Sequence, residues 1–293
     1  MDSVNVLAQK SGKRFGFYRG DCVEVLKGIP KDSIHYSVYS PPFSSLFTYS
    51  NSQRDMGNSR DDEEFWTHYK FLLAELMRVL VPGRMISVHC MNLPASKQNH
   101  GFIGLRDFRG DIIRAHQAAG FVFHSEVVIW KDPVTAMHRT KALGLLYKQL
   151  RKDSCMSRQG VPDYVCTFRK DAPNPEPVTH THESFPVALW QNYASPVWMD
   201  VDQSDTLQRE SARENDDERH ICPLQRQVIE RCVELWSNPN DIVLSPFGGI
   251  ASEGYYSVLL GRRYIGIELK ESYFTQGAIN LARAEDEHQN KLL

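Results

Sequence analysis

The chain predicts an α/β fold, with a mainly parallel sheet covered by helices on both faces. Three observations carry this. Short buried strands alternate with amphipathic helices through both ends of the 293 residues, the order that produces parallel sheets. One strand closes on Ser40-Pro41-Pro42-Phe43. Another runs into a glycine-rich turn, a helix and then a strand ending on Glu268. With 41% hydrophobic and 24% charged residues the chain has the composition of a folded protein. Its length suits one large α/β domain, or one that carries an inserted smaller part.

The elements follow in order. Residues 34–39 read as a buried strand, because apolar residues dominate and two prolines forbid its continuation. Residues 61–81 form an amphipathic helix, with Phe65, Tyr69, Leu72, Leu73, Leu76, Val79 and Leu80 on one side and Pro82-Gly83 as its stop. A strand follows over 84–90, then a helix over 107–120 closed by glycine. Residues 121–130 are a long apolar strand that ends before Asp132-Pro133. Residues 162–185 lack this rhythm, so the middle of the chain is expected to leave the main sheet. The alternation then resumes: helix 224–236, strand 241–244, helix 251–260, strand 263–268 and a final helix from Glu271.

Charge is unevenly placed. Residues 138–170 hold eight Lys/Arg against Asp153 and Asp163, whereas residues 200–218 hold eight acids against Arg209 and Arg213. The basic block suits a phosphate-tracking surface or, equally on charge alone, a solvated helix face. The acidic block follows Pro173, Pro175 and Pro177 and carries few large apolar residues, which reads as a mobile loop. Six cysteines are scattered without a CxxC pair, which argues against structural zinc and a disulfide framework and suits a reducing cytoplasm. No apolar run reaches membrane-spanning length, and Met1-Asp2-Ser3-Val4-Asn5 is not a secretion signal. His180-Thr181-His182, the one close histidine pair, reads as no ligand site, and His89, at a strand end expected to lie near the pocket, reads as core packing.

Two constellations carry chemistry. In Ser245-Pro246-Phe247-Gly248-Gly249-Ile250-Ala251-Ser252, glycines directly after a strand admit a ligand close to the backbone, and the helix that follows offers unpaired N–H groups. Glu268, ending the next strand, is placed to accept both hydroxyls of a ribose. A GxGxxG cradle is absent, so a dinucleotide is disfavoured and a nucleoside without phosphates, such as S-adenosylmethionine, fits better. In Ser40-Pro41-Pro42-Phe43 the prolines fix φ and remove two donors, leaving carbonyls that face outward. A serine oxygen and the Pro41 carbonyl then suit an exocyclic amino group, and Phe43 suits stacking on a flat base. A strand that merely ends in a Pro–Pro turn would share these four residues.

Together these motifs resemble the β-class DNA amino-methyltransferases, and especially those of phages and prophages. That family carries [Asp/Asn/Ser]-Pro-Pro-aromatic as its catalytic signature, met by Ser40, Pro41, Pro42 and Phe43. Its Asp-Pro-Phe-x-Gly-x-Gly-[Ser/Thr] cofactor signature is approached by the stretch from Ser245, with the catalytic motif first in the chain, as in the β class. Asp21 and Cys22 in Tyr18-Arg19-Gly20-Asp21-Cys22 resemble its cofactor-adenine motif, and His220-Ile221-Cys222-Pro223-Leu224-Gln225 resembles the segment around the methionine moiety. The resemblance implies a Rossmann-like S-adenosylmethionine-dependent methyltransferase fold, with a mostly parallel seven-stranded sheet, circularly permuted with its catalytic half first. It implies cofactor contacts from Asp21, Cys22, His220, Pro223, Ser245, Phe247, Gly248, Gly249 and Glu268. Residues 1–130 would form the catalytic half, 131–219 a target-recognition insertion with an acidic loop, and 220–293 the cofactor half.

The implied reaction is direct methyl transfer to the amino group of a base flipped from double-stranded DNA. Serine at the first catalytic position leans towards cytosine N4, with adenine N6 the alternative. Arg139, Lys148, Arg151, Lys152 and Arg158 would hold phosphates, with Trp190, Tyr193 and Trp198 as aromatic DNA contacts. The expected setting is the bacterial or host cytoplasm, without membrane or metal, and a homodimer is left open. Two departures stand out. Ser245 replaces the usual Asp and Ala251 the usual second glycine; losing the charge-assisted bond to the cofactor's ammonium would cost ~1.5–3 kcal/mol, unless another acid such as Glu253 is recruited. A catalytically silent DNA-binding relative is the reading of another class, and RNA or a protein amide are alternative substrates.

Overall fold

In the computed structural model, which describes residues 6–42, 62–134, 147–156, 159–207 and 223–291, nine strands form one sheet. In chain order they are β1 (Ala8–Ser11), β2 (Phe15–Arg19), β3 (Ile34–Tyr39), β4 (Leu80–Met91), β7 (Phe121–Ile129), β8 (Asp163–Lys170), β9 (Val197–Trp198), β10 (Ile242–Ser245) and β11 (Arg263–Glu268). A separate hairpin joins β5 (Leu93–Ala95) to β6 (Gly104–Arg106). The order across the large sheet is β1-β2-β11-β10-β3-β4-β8-β7-β9. Seven strands were expected; the sheet has nine, with β1 and β9 at its two edges. Among the seven inner strands, β8 alone runs against both its neighbours.

The central strands are buried on both faces, and alternate residues sort between two cores. On β10, Val243 faces one and Ile242 and Leu244 the other; on β11, Tyr264 faces the first and Ile265 and Ile267 the second. The first face is covered by α7 (Arg226–Trp236), α8 (Ser252–Leu259) and α9 (Glu271–Lys291), through residues such as Val228, Ile229, Val258 and Leu281. The second is covered by α1 (Cys22–Leu26), α2 (Asp62–Val79) and α4 (Phe108–Ala118), through Leu26, Leu72, Leu76 and Ile112. Shorter helices α3 (Lys97–His100), α5 (Tyr147–Leu150) and α6 (Val187–Tyr193) complete the described elements. Local sequence explains the starts of α1 and α4: Asp21 and Asp107 each accept a backbone N–H from the first turn, Glu24 N and Gly110 N, both at 3.0 Å.

Two expectations need correction. The middle of the chain does not leave the sheet: β8, from residues 163–170, lies between β4 and β7. Its run Tyr-Val-Cys-Thr-Phe is β-branched and aromatic and buried on both faces, and that outweighs the polar, proline-rich segment after it. Nor do Pro82 and Gly83 mark the turn between helix and strand. The helix ends at Val79, Leu80 already pairs with Ile34, and Pro82-Gly83 lies in an irregularity of the pairing before Met85 meets Tyr36.

Candidate active site

Strands β2, β11, β10 and β3 are neighbours and all run the same way, so their final residues gather at one end of the sheet. Backbone bonds tie these ends together. Gly20 N donates to Glu268 O at 3.0 Å, and Gly248 N donates to Ile267 O at 2.7 Å. The Ser37 hydroxyl donates to Leu244 O at 3.0 Å, and the rings of Tyr39 and Phe247 lie 5.7 Å apart. The proline pair and the glycine turn, distant in sequence, thus leave adjacent strands side by side. Such a crevice beyond the carboxyl ends of strands is where open α/β sheets bind ligands.

The turn's glycines have separate tasks. A Cβ on Gly248 would stand 2.7 Å from the Phe17 ring and 3.1 Å from Ile267 O, so close packing requires glycine there. Gly249 has φ +53°, and nothing lies within 4 Å of where its Cβ would be. It borders open space, as a residue against a ligand should. Ala251 is fully buried and also left-handed, at φ +63°, a conformation that favours glycine. Its N–H donates to Gly248 O at 2.7 Å, and it stands at the start of α8 without a side-chain cap.

The Glu268 carboxylate accepts Gly249 N at 2.7 Å and Lys270 N at 2.8 Å, which fixes its orientation at the strand end. Asp21 and Cys22 stand beside it, where β2 passes into α1; burial, then the charges of Asp21 and Glu268, push the Cys22 thiol up, so it is no thiolate. Ser245 is fully buried with its Oγ beside the Tyr264 hydroxyl, and Ser252 Oγ is buried with no hydrogen-bond partner among the described residues. Glu253, in the first turn of α8, is 5% exposed, and burial, with the nearby Glu268 charge, pushes its carboxyl up to about 8. An oriented acid, open space at Gly249 and an orphaned buried hydroxyl at Ser252 suit a polar, cationic nucleoside, so the residues present fit S-adenosylmethionine. Glu268 and the Gly248-Gly249 backbone would hold it, with Asp21 and Phe247 beside them.

Ser40 follows β3, with Pro41 buried and Pro42 half-buried. Its Oγ lies 3.1 Å from His89 Nδ1 and 3.3 Å from the His89 carbonyl. His89 Nε2 lies 2.8 Å from Asp163 Oδ2, the oxygen that also takes the Lys131 ammonium. Burial pushes the Asp163 carboxyl up, but the Lys131 and His89 partners outweigh it and hold it down at about 2. His89, expected near the pocket with packing as its role, does lie there, and it links the proline motif to two residues the sequence did not single out. Asp163 opens a strand missed for its proline-rich surroundings, though the aromatic and β-branched run from Tyr164 to Phe168 was the available signal. Tyr39 is anchored by Tyr69 (hydroxyls 3.0 Å apart) and by His116, whose ring stacks on Phe168 at 4.0 Å.

Other expected site residues are not all brought together. Phe43, His220, Arg139 and Arg158 lie outside the described residues. Pro223 is half-buried just before α7, and the adjoining Leu224 belongs to the core. Lys148, Arg151 and Lys152 are exposed on α5 and the turn after it. One aromatic assignment is corrected. Trp198 is 1% exposed, with Arg231 over its ring at 5.0 Å and its Nε1–H donated to Tyr193 O, so it packs rather than meets DNA. The Tyr193 hydroxyl donates to Glu234 at 2.6 Å. Trp190 is exposed, but it lines a hollow with His180, Phe185 and Trp236, where α7 leads towards the start of β10 rather than its end. Among the described residues, no group of three or more His, Cys, Asp or Glu could hold a metal ion, and no helix is long and apolar enough to cross a membrane.

Comparison with known proteins agrees with this geometry. Residues 34–279 match the DNA methylase family of N6/N4 enzymes, and the chain belongs to it. DNA adenine methyltransferase YhdJ of Escherichia coli (strain K12) is 24% identical over 279 residues, 88% of this chain and 79% of that protein. A DNA modification methylase of Thermus thermophilus, TTHA0409, solved with S-adenosyl-L-methionine, has a TM-score of 0.67 at 21% identity, covering 93% of this chain and 95% of that one. The cytosine-N4-specific PvuII DNA methyltransferase has a TM-score of 0.66 at 17% identity, covering 98% and 96%. The fold is that of S-adenosylmethionine-dependent methyltransferases, and the chain is an S-adenosylmethionine-dependent enzyme acting on DNA.

Proposed function

We propose that this enzyme methylates the exocyclic amino group of a base flipped out of duplex DNA, with cytosine N4 favoured over adenine N6. One observation carries the reading: Ser40-Pro41-Pro42 and Gly248-Gly249 leave adjacent parallel strands, so an amine at the first would lie against a methyl donor at the second. The cofactor supplies a methyl group activated on a positively charged sulfur. The chain's part is to accept the two amino hydrogens at Ser40 Oγ and the Pro41 carbonyl, which directs the nitrogen lone pair towards that methyl, and to keep water away. Phe43 would stack on the extruded base, and Arg139, Lys148, Arg151, Lys152 and Arg158 would hold phosphates. The preference for cytosine rests on serine at position 40; the named relatives divide, one an adenine enzyme and one cytosine-N4-specific.

Radiolabelled methyl transfer to unmethylated duplex DNA, followed by nucleoside mass spectrometry, tests this directly. N4-methylcytosine is the expected product. N6-methyladenine would reassign the base, and label appearing only in RNA or protein would overturn DNA as the substrate. Ser245 and the left-handed Ala251 depart from the family's cofactor signature, and tighter cofactor binding in a Ser245→Asp/Ala251→Gly double variant would show that these departures weaken it.

A further inference from the structure

An amine that takes up a methyl group carries one hydrogen too many, and the chain holds a route for it behind Ser40. Four adjacent strands contribute. Ser40 follows β3, His89 lies on β4, Asp163 opens β8 and Lys131 follows β7. Their side chains form an unbroken series: Ser40 Oγ to His89 Nδ1 at 3.1 Å, His89 Nε2 to Asp163 Oδ2 at 2.8 Å, and Lys131 on the same carboxylate oxygen. His89 and Asp163 are buried, at 8% and 1% exposure, so the series is built into the core rather than lying on the surface.

The charges set the direction of each bond. An ionised Asp163 can only accept, so the imidazole hydrogen sits on Nε2 and Nδ1 presents a lone pair to Ser40. The Ser40 hydroxyl then donates to His89, and its own lone pairs are left to accept hydrogens from an incoming amine. The second acceptor within reach of Ser40 Oγ, the His89 carbonyl at 3.3 Å, has a use as well. Once Nδ1 is protonated it becomes a donor to Ser40, and the hydroxyl can swing to that carbonyl without losing a bond.

We propose that His89, held by Asp163 and Lys131, takes the proton that the methylated amine must lose, through the Ser40 hydroxyl. This rests on the reading of Ser40 as the residue at the reacting amine. The base nitrogen forms its bond to the methyl carbon with its lone pair, while the carbon–sulfur pair stays on sulfur. The nitrogen, now cationic, gives an N–H proton to Ser40 Oγ and recovers the bonding pair. Ser40 passes its former proton to His89 Nδ1. The positive charge ends on an imidazolium beside Asp163 and leaves later to solvent. Asp163 from β8 is the charged group paired with His89, and Lys131 from the end of β7 is paired with Asp163. His89 is therefore a positioning residue that also stores a proton, and the reacting atoms are touched by Ser40.

His89→Gln keeps a donor and an acceptor in the series but cannot carry the extra proton. Expected is a kcat lowered about tenfold or more, with KM for DNA and the cofactor Kd each within about threefold of wild type. A kcat within twofold of wild type would overturn the relay. Nitrogen NMR of the histidine-labelled protein, without substrate, should show His89 as the Nε2–H tautomer. A neutral ring with its hydrogen on Nδ1 would overturn the proposal even if the variant fails to fold. Wild-type protein that methylates no DNA would instead overturn the reading of the whole site, a failure the tautomer measurement separates from this one.

Discussion

The Tyr39 and Phe247 rings, 5.7 Å apart and tilted by 57°, join the strand that presents the proline motif to the glycine turn after β10. Each is itself held from behind, Tyr39 by Tyr69 and His116, and Phe247 by the core beneath α1 and α2. On the proposed reading, this contact couples the position of the base to that of the cofactor. Phe247→Ala is expected to weaken cofactor binding and slow transfer together, at least tenfold in kcat/KM, because small displacements of reacting groups are costly. Calorimetric titration and steady-state rates on one preparation check this; loss of one without the other would separate the two halves of the site.

The adjacent glycines predict opposite outcomes for one substitution. Gly248→Ala drives a methyl into Phe17 and towards Ile267 O, and the fold bears the cost: about 1–3 kcal/mol of overpacking, read as a fall in Tm of several degrees. Gly249→Ala meets no atom and costs only the left-handed backbone, roughly 1–2 kcal/mol. If the proposed cofactor site is right, its methyl enters the cofactor's space, so here Kd should rise at least tenfold while the thermal transition moves less than in Gly248→Ala.

Glu253 gives a pH signature. Its folded carboxyl is raised from 4.5 to about 8, so the fold binds this proton more tightly than the unfolded chain does. The resulting stability is full below about 4.5 and is lost as the pH rises through 8. Glu253→Gln removes that loss. Its Tm should lie close to wild type at pH 5 and exceed it by about 5 °C or more at pH 8.5. If Glu253 stands in for the missing acid at position 245, cofactor binding to wild type will also release a proton at pH 7, and the variant's will not. Titrations in buffers of different ionisation enthalpy measure that release.

Ser40→Ala should abolish transfer, by a factor of about a hundred or more, since it removes both an acceptor for the amine and the first member of the series behind it. Cofactor affinity should stay within about twofold, because the glycine turn and Glu268 lie on other strands. Rapid-quench assays against equilibrium binding make the comparison.

The outer thirds of the chain were readable because periodicity and chain breakers agree there. Residues 34–39 and 263–268 were placed without error, their apolar runs ending on a proline pair and on a lone acid. Glu268 and the glycine turn came from spacing, a local property. Asp163, Lys131 and His89 were not legible as a group, because what joins them is pairing between β4, β8 and β7, and a one-residue shift in any of these would part them. Trp198 shows the opposite error: an aromatic residue near charges looked like a contact for DNA, and Arg231 turned out to pack over it in the interior.

The ion pair between Lys131 and Asp163 also spans the two ends of a long excursion, from the exit of β7 to the entry of β8. Since β8 is reversed, the chain departs and returns at the same rim of the sheet, beside Ser40. The stretch between Lys131 and Asp163, which includes α5, is therefore anchored at both ends at one place on that rim, so a change in its length need not strain the strands that feed it.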